Sequence, residues 1–290
     1  MIFREVKSIK YEKKHILNMK KIIPLVILFI LLFGCTQTQE KYTFLITIDG
    51  ARPDLLQFAQ TPTIDYLISN YNTEYSFNYQ TVCPSTTPVA HASLFTGKEL
   101  DEHWFSNPND NLNSITIFEI LEDNNFKTLL FDGKGGRIKG LEKRVSYFYG
   151  EKNYRMFDGD FYLMQDFVEI FNEKKPTFSF ILLPNVDDTG HGSGHESENY
   201  LGAINTADRA IAHLVYYLKE KDLMKNSNII ILSDHGMTNF AHDTCLDSDL
   251  TIPIIKIGER FVKGERSSQS IKEISNEILN IYNLSFQNLN

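Results

Sequence analysis

Short apolar runs alternate with amphipathic stretches along this chain, and that alternation restricts its fold more than any other feature. Thr43 to Ile48, Lys127 to Phe131, Thr177 to Leu183, Asn228 to Leu232 and Ile252 to Ile257 are rich in isoleucine, leucine, threonine and phenylalanine, the pattern of strands buried on both faces. Between them, Thr63 to Asn70, Ser114 to Glu122, Phe161 to Asn172, Ala203 to Glu220 and Gln269 to Tyr282 carry apolar residues at helical spacing. Strands separated by helices predict an α/β fold, a mainly parallel sheet sandwiched by helices. Sheets of that kind present their chemistry at the carboxyl ends of the strands.

Three of the runs end in acids and imidazoles. The first leads into Asp49-Gly50, the third into Asp187-Asp188-Thr189-Gly190-His191, and the fourth into Ser233-Asp234-His235-Gly236. Singly, an Asp-Gly is an ordinary turn and a Gly-His-Gly-Ser-Gly stretch an ordinary loop. On one sheet edge, however, several carboxylates would repel one another, and divalent metal resolves that conflict. The mixture of aspartate and histidine suits zinc.

The body of the chain is acidic, which agrees with cation binding. Of 29 Lys and Arg and 37 Asp and Glu, residues 1–34 hold seven basic and two acidic, leaving 22 basic against 35 acidic residues beyond them. That balance argues against binding to duplex nucleic acid, which needs Lys and Arg on the phosphates. The basic start has its own meaning. Met19, Lys20 and Lys21 precede an apolar run from Ile22 to Phe33 and then Gly34-Cys35, the form of an export signal too short to span a bilayer stably. Leu32-Phe33-Gly34-Cys35 resembles the lipobox of bacterial lipoproteins. It implies translation from Met19, cleavage before Cys35, a lipid on that cysteine and a tether over residues 35–41. A single catalytic domain over 42–290 would then sit outside the cytoplasm, periplasmic or at the cell surface, held to the membrane by the anchor.

A nucleophile is offered by Cys83 to Lys98, where Ser85, Thr86 and Thr87 precede a helix-like stretch. A hydroxyl beside a helix N-terminus is well placed for phosphate oxygens, although most such residues are simple caps. Spacing alone does not choose among the three.

These motifs, in this order, resemble the nucleotide pyrophosphatase/phosphodiesterase family, or type I phosphodiesterases, of the alkaline phosphatase superfamily. Ile48 to Leu56 (IDGARPDLL) is similar to the family's Asp-Gly-x-Arg-x-Asp-x-Leu opening. Pro84 to Gly97 (PSTTPVAHASLFTG) fits its Pro-x-x-Thr-x-x-x-His-x-Ser-x-x-Thr-Gly pattern without gaps. Asp187 to His191 and Ser233 to Met237 match its Asp-x-x-Gly-His and Ser-Asp-His-Gly-Met, and His242 resembles the last metal histidine. The resemblance implies an alkaline phosphatase-like fold and a two-zinc hydrolase with Thr87 as nucleophile. One zinc would lie on Asp49, Asp234 and His235, the other on Asp187, His191 and His242. It also implies an asparagine on a phosphate oxygen, for which Asn107 is nearest and Asn109 competes. Asp188 and His195 match no ligand position.

Two departures stand out. The family's Phe-Pro-Asn after the threonine is Pro88-Val89-Ala90 here, and only Gly236 to Ala241 separate the Asp-His pair from His242. If the threonine and His242 segments both reach the metal edge, Cys83 and Cys245 come close, as a disulfide or as a free buried pair. A sulfatase, which shares the fold, is disfavoured because Thr87 and His91 stand where its Cys-x-Pro-x-Arg nucleophile motif would fall. A non-catalytic zinc-binding lipoprotein would need the ligands but not Thr87. The expected substrate is a small, nucleotide-type phosphodiester rather than a monoester, because the threonine motif holds no Lys or Arg before Lys98 to meet extra phosphate charge. A phosphomonoesterase on the same site is the alternative.

Overall fold

The structure is a computed structural model and describes residues 41–287. The signal sequence, the start at Met19 and the lipidation site Cys35 lie outside the described residues. Among those residues, strands β1 (Tyr42–Ile48), β2 (Thr73–Gln80), β3 (Thr128–Asp132), β4 (Tyr147–Tyr149), β5 (Phe178–Leu183), β6 (Ser227–Leu232), β7 (Thr251–Ile257) and β8 (Gly264–Glu265) form one sheet in the order β4-β3-β5-β1-β6-β7-β2-β8. The run β4-β3-β5-β1-β6 is parallel throughout, with Ile46 of β1 in register with Ile181 of β5 and Ile231 of β6. β7 is antiparallel to both β6 and β2, so the sheet is mixed on one side only.

Each strand face feeds its own core. Phe44, Ile46 and Ile48 of β1 pack with Leu163, Phe167 and Phe171 of the helix Gly159–Lys174 and with Ile204, Ile211 and Leu214 of the helix Glu198–Glu220. Leu45 points the other way, to Val89 and Phe95 of the helix Thr87–Thr96, Phe118 of Ile117–Asp123 and Ile278 of Glu273–Ile281. Burial on both faces is why the parallel strands read as continuous apolar runs. No helix among the described residues is long and apolar enough to cross a membrane.

β2, β4 and β8 lie outside the expected runs, and one segment takes an unexpected form. β2, Thr-Glu-Tyr-Ser-Phe-Asn-Tyr-Gln, mixes polar and aromatic residues because it is only partly buried. The Gly-His-Gly-Ser-Gly stretch, by itself an ordinary loop pattern, lies up to Ser193 in a helix over Asn185–Ser193 that also holds Asp187. Gly190 permits this by close packing, since a Cβ there would stand 2.1 Å from Met237 Sδ. The helical turn sets Asp187 and His191 on one face, four residues apart.

Cys83 and Cys245 are joined as a disulfide, with Cα atoms 5.6 Å apart across a sequence separation of 162. Closing so long a loop constrains the unfolded chain and typically stabilises by about 3 kcal/mol. Denaturant titration of the Cys83→Ser/Cys245→Ser protein is expected to show a loss of that order. Alkylation of the denatured, unreduced parent should leave both cysteines unlabelled.

Candidate active site

The site grows from the carboxyl ends of neighbouring parallel strands. After β1 the chain turns at Gly50, with φ 71°. A Cβ on Gly50 would lie 3.0 Å from Asp187 Cβ and 3.1 Å from Asp187 Oδ1, so glycine lets the β1 and β5 ends meet. Ser233, at the end of β6, ties them to the third end. Its Oγ accepts from Ala51 N at 2.8 Å and lies 2.9 Å from the Ile48 carbonyl and 2.6 Å from that of His235.

Six side chains gather there as two groups: Asp49, Asp234 and His235, and Asp187, His191 and His242. In each group the candidate donor atoms lie within 4.8 Å of one another. His235 Nε2 is 3.3 Å from Asp49 Oδ1 and 3.4 Å from Asp234 Oδ2. His191 Nε2 and His242 Nε2 are 3.4 and 3.5 Å from Asp187 Oδ1. The His235 and His242 rings stack with centroids 3.7 Å apart, so the two groups adjoin.

The donor set fits divalent metal. Every one of these imidazoles turns Nδ1 to a main-chain carbonyl: His235 to Gly236 at 2.9 Å, His191 to Phe240 at 2.7 Å and His242 to Ser85 at 2.7 Å. A carbonyl only accepts, so Nδ1 carries hydrogen, and in the neutral ring Nε2 keeps its lone pair facing the carboxylates. Asp49 Oδ1, Asp187 Oδ1 and Asp234 Oδ2 are buried without a hydrogen-bond partner. His191 Nε2 and His242 Nε2 stand 3.2 Å apart, where two lone pairs repel unless a cation takes both. The electrostatics agree. Burial alone would push His235 down, but Asp234 and Asp49 outweigh it and lift it to about 9. Burial, with the repulsion of Asp49, raises Asp234 above the usual carboxylate range. Burial and the neighbouring His235 depress His242 to about 4.

Of the three candidate hydroxyls, Thr87 alone faces this cluster. It opens the helix Thr87–Thr96, every residue of which is buried, and its Oγ1 lies 3.5 Å from His235 Nε2. Ser85 Oγ instead donates to the His242 carbonyl, and Thr86 stands at the N-cap position of the helix without a side-chain capping bond. His91, one turn into the helix, bonds through Nδ1 to the Thr87 carbonyl at 2.7 Å. Asn107 is exposed; its main-chain N–H donates to Asp110 Oδ2 and its side-chain amide to Ser106 Oγ, within its own turn. Asp188 pairs with Arg155, whose Nε lies 2.7 Å from its Oδ2. His195 is held by the Asn239 carbonyl at 3.3 Å.

Lys134 is the residue that the sequence reading lacks. It follows β3 in the loop Asp132-Gly133-Lys134-Gly135-Gly136, and its Nζ lies 2.6 Å from Asp49 Oδ2, 2.6 Å from Asp187 Oδ2 and 3.2 Å from Thr87 Oγ1. Burial opposes its charge, but Asp49 and Asp187 overcome that and hold the ammonium far above the ordinary lysine range. The expectation that cationic charge is sparse around the nucleophile is therefore corrected. The signal was present: Lys134 follows a strand on the same edge, but only acids and imidazoles were sought there.

A family model described as type I phosphodiesterase / nucleotide pyrophosphatase matches residues 43–111 and 135–267. The chain is 25% identical over 251 residues to ectonucleotide pyrophosphatase/phosphodiesterase 2 of Saccharomyces cerevisiae, covering 71% of this chain and 50% of that protein. It is 24% identical over 234 residues to rat family member 7, covering 71% and 52%. The chain thus spans about half the length of these relatives. In three dimensions it resembles murine ectonucleotide pyrophosphatase/phosphodiesterase 5, solved in an inactive form with AMP, at a TM-score of 0.70 and 16% identity, covering 85% of this chain and 96% of that one. A phosphonate monoester hydrolase of Agrobacterium radiobacter also matches, at a TM-score of 0.67 and 12% identity, covering 84% and 74%. The shared architecture is the alkaline phosphatase-like sheet and its flanking helices.

Ser233→Ala removes the hydroxyl that joins the three strand ends and leaves the buried Ala51 N–H only its longer bond, 3.3 Å to the Ile48 carbonyl. Urea unfolding is expected to show a loss of about 1 kcal/mol, the net worth of one hydrogen bond.

Proposed function

Because the chain belongs to the type I phosphodiesterase / nucleotide pyrophosphatase family, we propose that it hydrolyses nucleotide-type phosphodiesters and pyrophosphates with Thr87 as nucleophile and two divalent ions, zinc by donor chemistry. The observation that carries this reading is the placement of the buried Thr87 Oγ1, 3.5 Å from His235 Nε2, against two adjoining Asp/His groups. Asp49, Asp234 and His235 would hold one ion and Asp187, His191 and His242 the other; bound there, the ions supply positive charge that favours the threonine alkoxide and screens the phosphoryl oxygens.

The chain's own part is positional. The fully buried helix Thr87–Thr96 holds the hydroxyl in place, and the main-chain carbonyls of Gly236, Phe240 and Ser85 fix the three imidazoles. Thr87 Oγ loses its proton to solvent and bonds to phosphorus as the bond to the leaving oxygen breaks, and that oxygen takes a proton. Water then displaces Thr87 from the phosphothreonine, and the hydroxyl is restored. The asparagine role belongs to this proposal as well. Asn107 is the candidate, and its side-chain amide would exchange its present bond to Ser106 Oγ for a phosphate oxygen.

An exported location, with a lipid on Cys35 and a membrane anchor, completes the proposal. It is supported by Lys20-Lys21 and the apolar run ahead of Cys35, and by a Cys83–Cys245 disulfide suited to an oxidising compartment.

Metal analysis of zinc-loaded protein is expected to give two ions per chain, one after Asp234→Ala or His191→Ala, and still two after His195→Ala. One ion or none in the parent would remove the two-metal reading. With p-nitrophenyl thymidine monophosphate as substrate, Thr87→Ala should lose several orders of magnitude in kcat while keeping its thermal midpoint and metal content. Near-normal turnover in that variant, or turnover of p-nitrophenyl sulfate alone by the parent, would reject the threonine phosphoesterase.

A further inference from the structure

A lysine buried at a nucleophile raises the question of what it is for. Lys134 is 8% exposed, and its ammonium uses its three donors on Asp49, Asp187 and Thr87. The loop that carries it is pinned. Asp132 is fully buried and accepts from Lys134 N at 2.8 Å and from Ile138 N at 3.2 Å. Gly133 packs so tightly that a Cβ would lie 2.5 Å from the Leu182 carbonyl oxygen and 2.2 Å from Leu163 Cδ1. Lys134 is also just outside the residues matched by the family model, so family membership assigns it no role.

Charge balance supplies the role. If two divalent ions occupy the site, as the proposed function requires, the carboxylates of Asp49, Asp187 and Asp234 leave it with one net positive charge. That suits the single negative charge of a phosphodiester. Lys134 raises the total to two, which suits the dianion of a phosphomonoester. Arg155, a nearby cation, is already taken by Asp188. A counterion for the carboxylates would have no need of Thr87, yet Lys134 Nζ donates to that oxygen at 3.2 Å. A phosphoryl group bonded to Thr87 Oγ therefore brings its non-bridging oxygens within reach of this ammonium, where a charge-assisted hydrogen bond is strong.

We propose that Lys134 binds a non-bridging oxygen of the phosphoryl group and gives this site a phosphomonoesterase activity beside its phosphodiesterase chemistry. The reaction keeps the same balance. Thr87 Oγ bonds to phosphorus, the ester oxygen departs and is protonated to the alcohol, and water releases inorganic phosphate while Thr87 regains its hydrogen. Lys134 keeps its protons throughout and donates a hydrogen bond.

The test separates binding from turnover. In zinc-loaded Thr87→Ala protein, calorimetry with inorganic phosphate at pH 8, a dianion, is compared with dimethyl phosphate, a monoanion. Adding Lys134→Gln should weaken phosphate by about tenfold or more, the size of one charge-assisted hydrogen bond, and dimethyl phosphate by much less. With Thr87 intact, Lys134→Gln should lower kcat/KM for p-nitrophenyl phosphate by about tenfold more than for p-nitrophenyl thymidine monophosphate, and Lys134→Arg should recover part of the difference. Equal losses for monoanion and dianion, or loss of bound zinc with the substitution, would overturn the proposal. So would a parent enzyme that turns over the diester but not the monoester, a result that needs no variant to fold. A parent inactive on both esters would count instead against the phosphoesterase reading itself.

Discussion

Three carboxylates buried at one sheet edge govern this molecule. Asp49, Asp187 and Asp234 each keep one oxygen without a hydrogen-bond partner, a costly arrangement in a protein interior unless cations answer it. Much of the surrounding structure brings them together or offsets their charge. Gly50 lets two strand ends touch, Ser233 ties in the third, and Lys134 bridges one acid from each group. His235 is drawn toward its protonated form by the same field. A site under this much unbalanced negative charge favours cations, and Thr87 stands beside it with its hydroxyl 3.5 Å from His235 Nε2.

The fold was legible because β1, β3, β5, β6 and the antiparallel β7 are buried on both faces and therefore read as apolar runs, and each of these five appears within a residue or so of its expected position. β2 lacks an apolar run because its tyrosines and phenylalanine alternate with polar residues, of which only Asn78 is exposed, near the sheet edge. The ligand groups were visible as motifs at strand ends, but the helical form of Asn185–Ser193 was not. Its two internal glycines disfavour a helix locally, and packing of Gly190 against Met237 decides the matter.

Lys134 shows a different limit. It has no motif of its own, and its importance comes from β3 lying beside β5, a neighbour relation set by sheet order rather than by sequence distance. Asn107 lies in a loop held by its own turn, where its main-chain N–H bonds Asp110 and its side chain bonds Ser106. Spacing identifies groups carried on the same strand or helix turn, and it weakens for residues whose position depends on loops.

The Cys83–Cys245 bond carries a consequence for metal exchange. It lies beside a reciprocal pair of contacts in which Ser85 Oγ donates to the His242 carbonyl and His242 Nδ1 donates to the Ser85 carbonyl. Covalent and polar ties thus make the segment leading into Thr87 and the segment bearing His242 a single mechanical body, although they are far apart in sequence. Thr87 and His242 thereby hold their spacing through the scaffold. An ion bound as proposed would on departure leave behind a template rather than a collapsed pocket, and rebinding would then turn on desolvating the incoming cation more than on refolding its receptor.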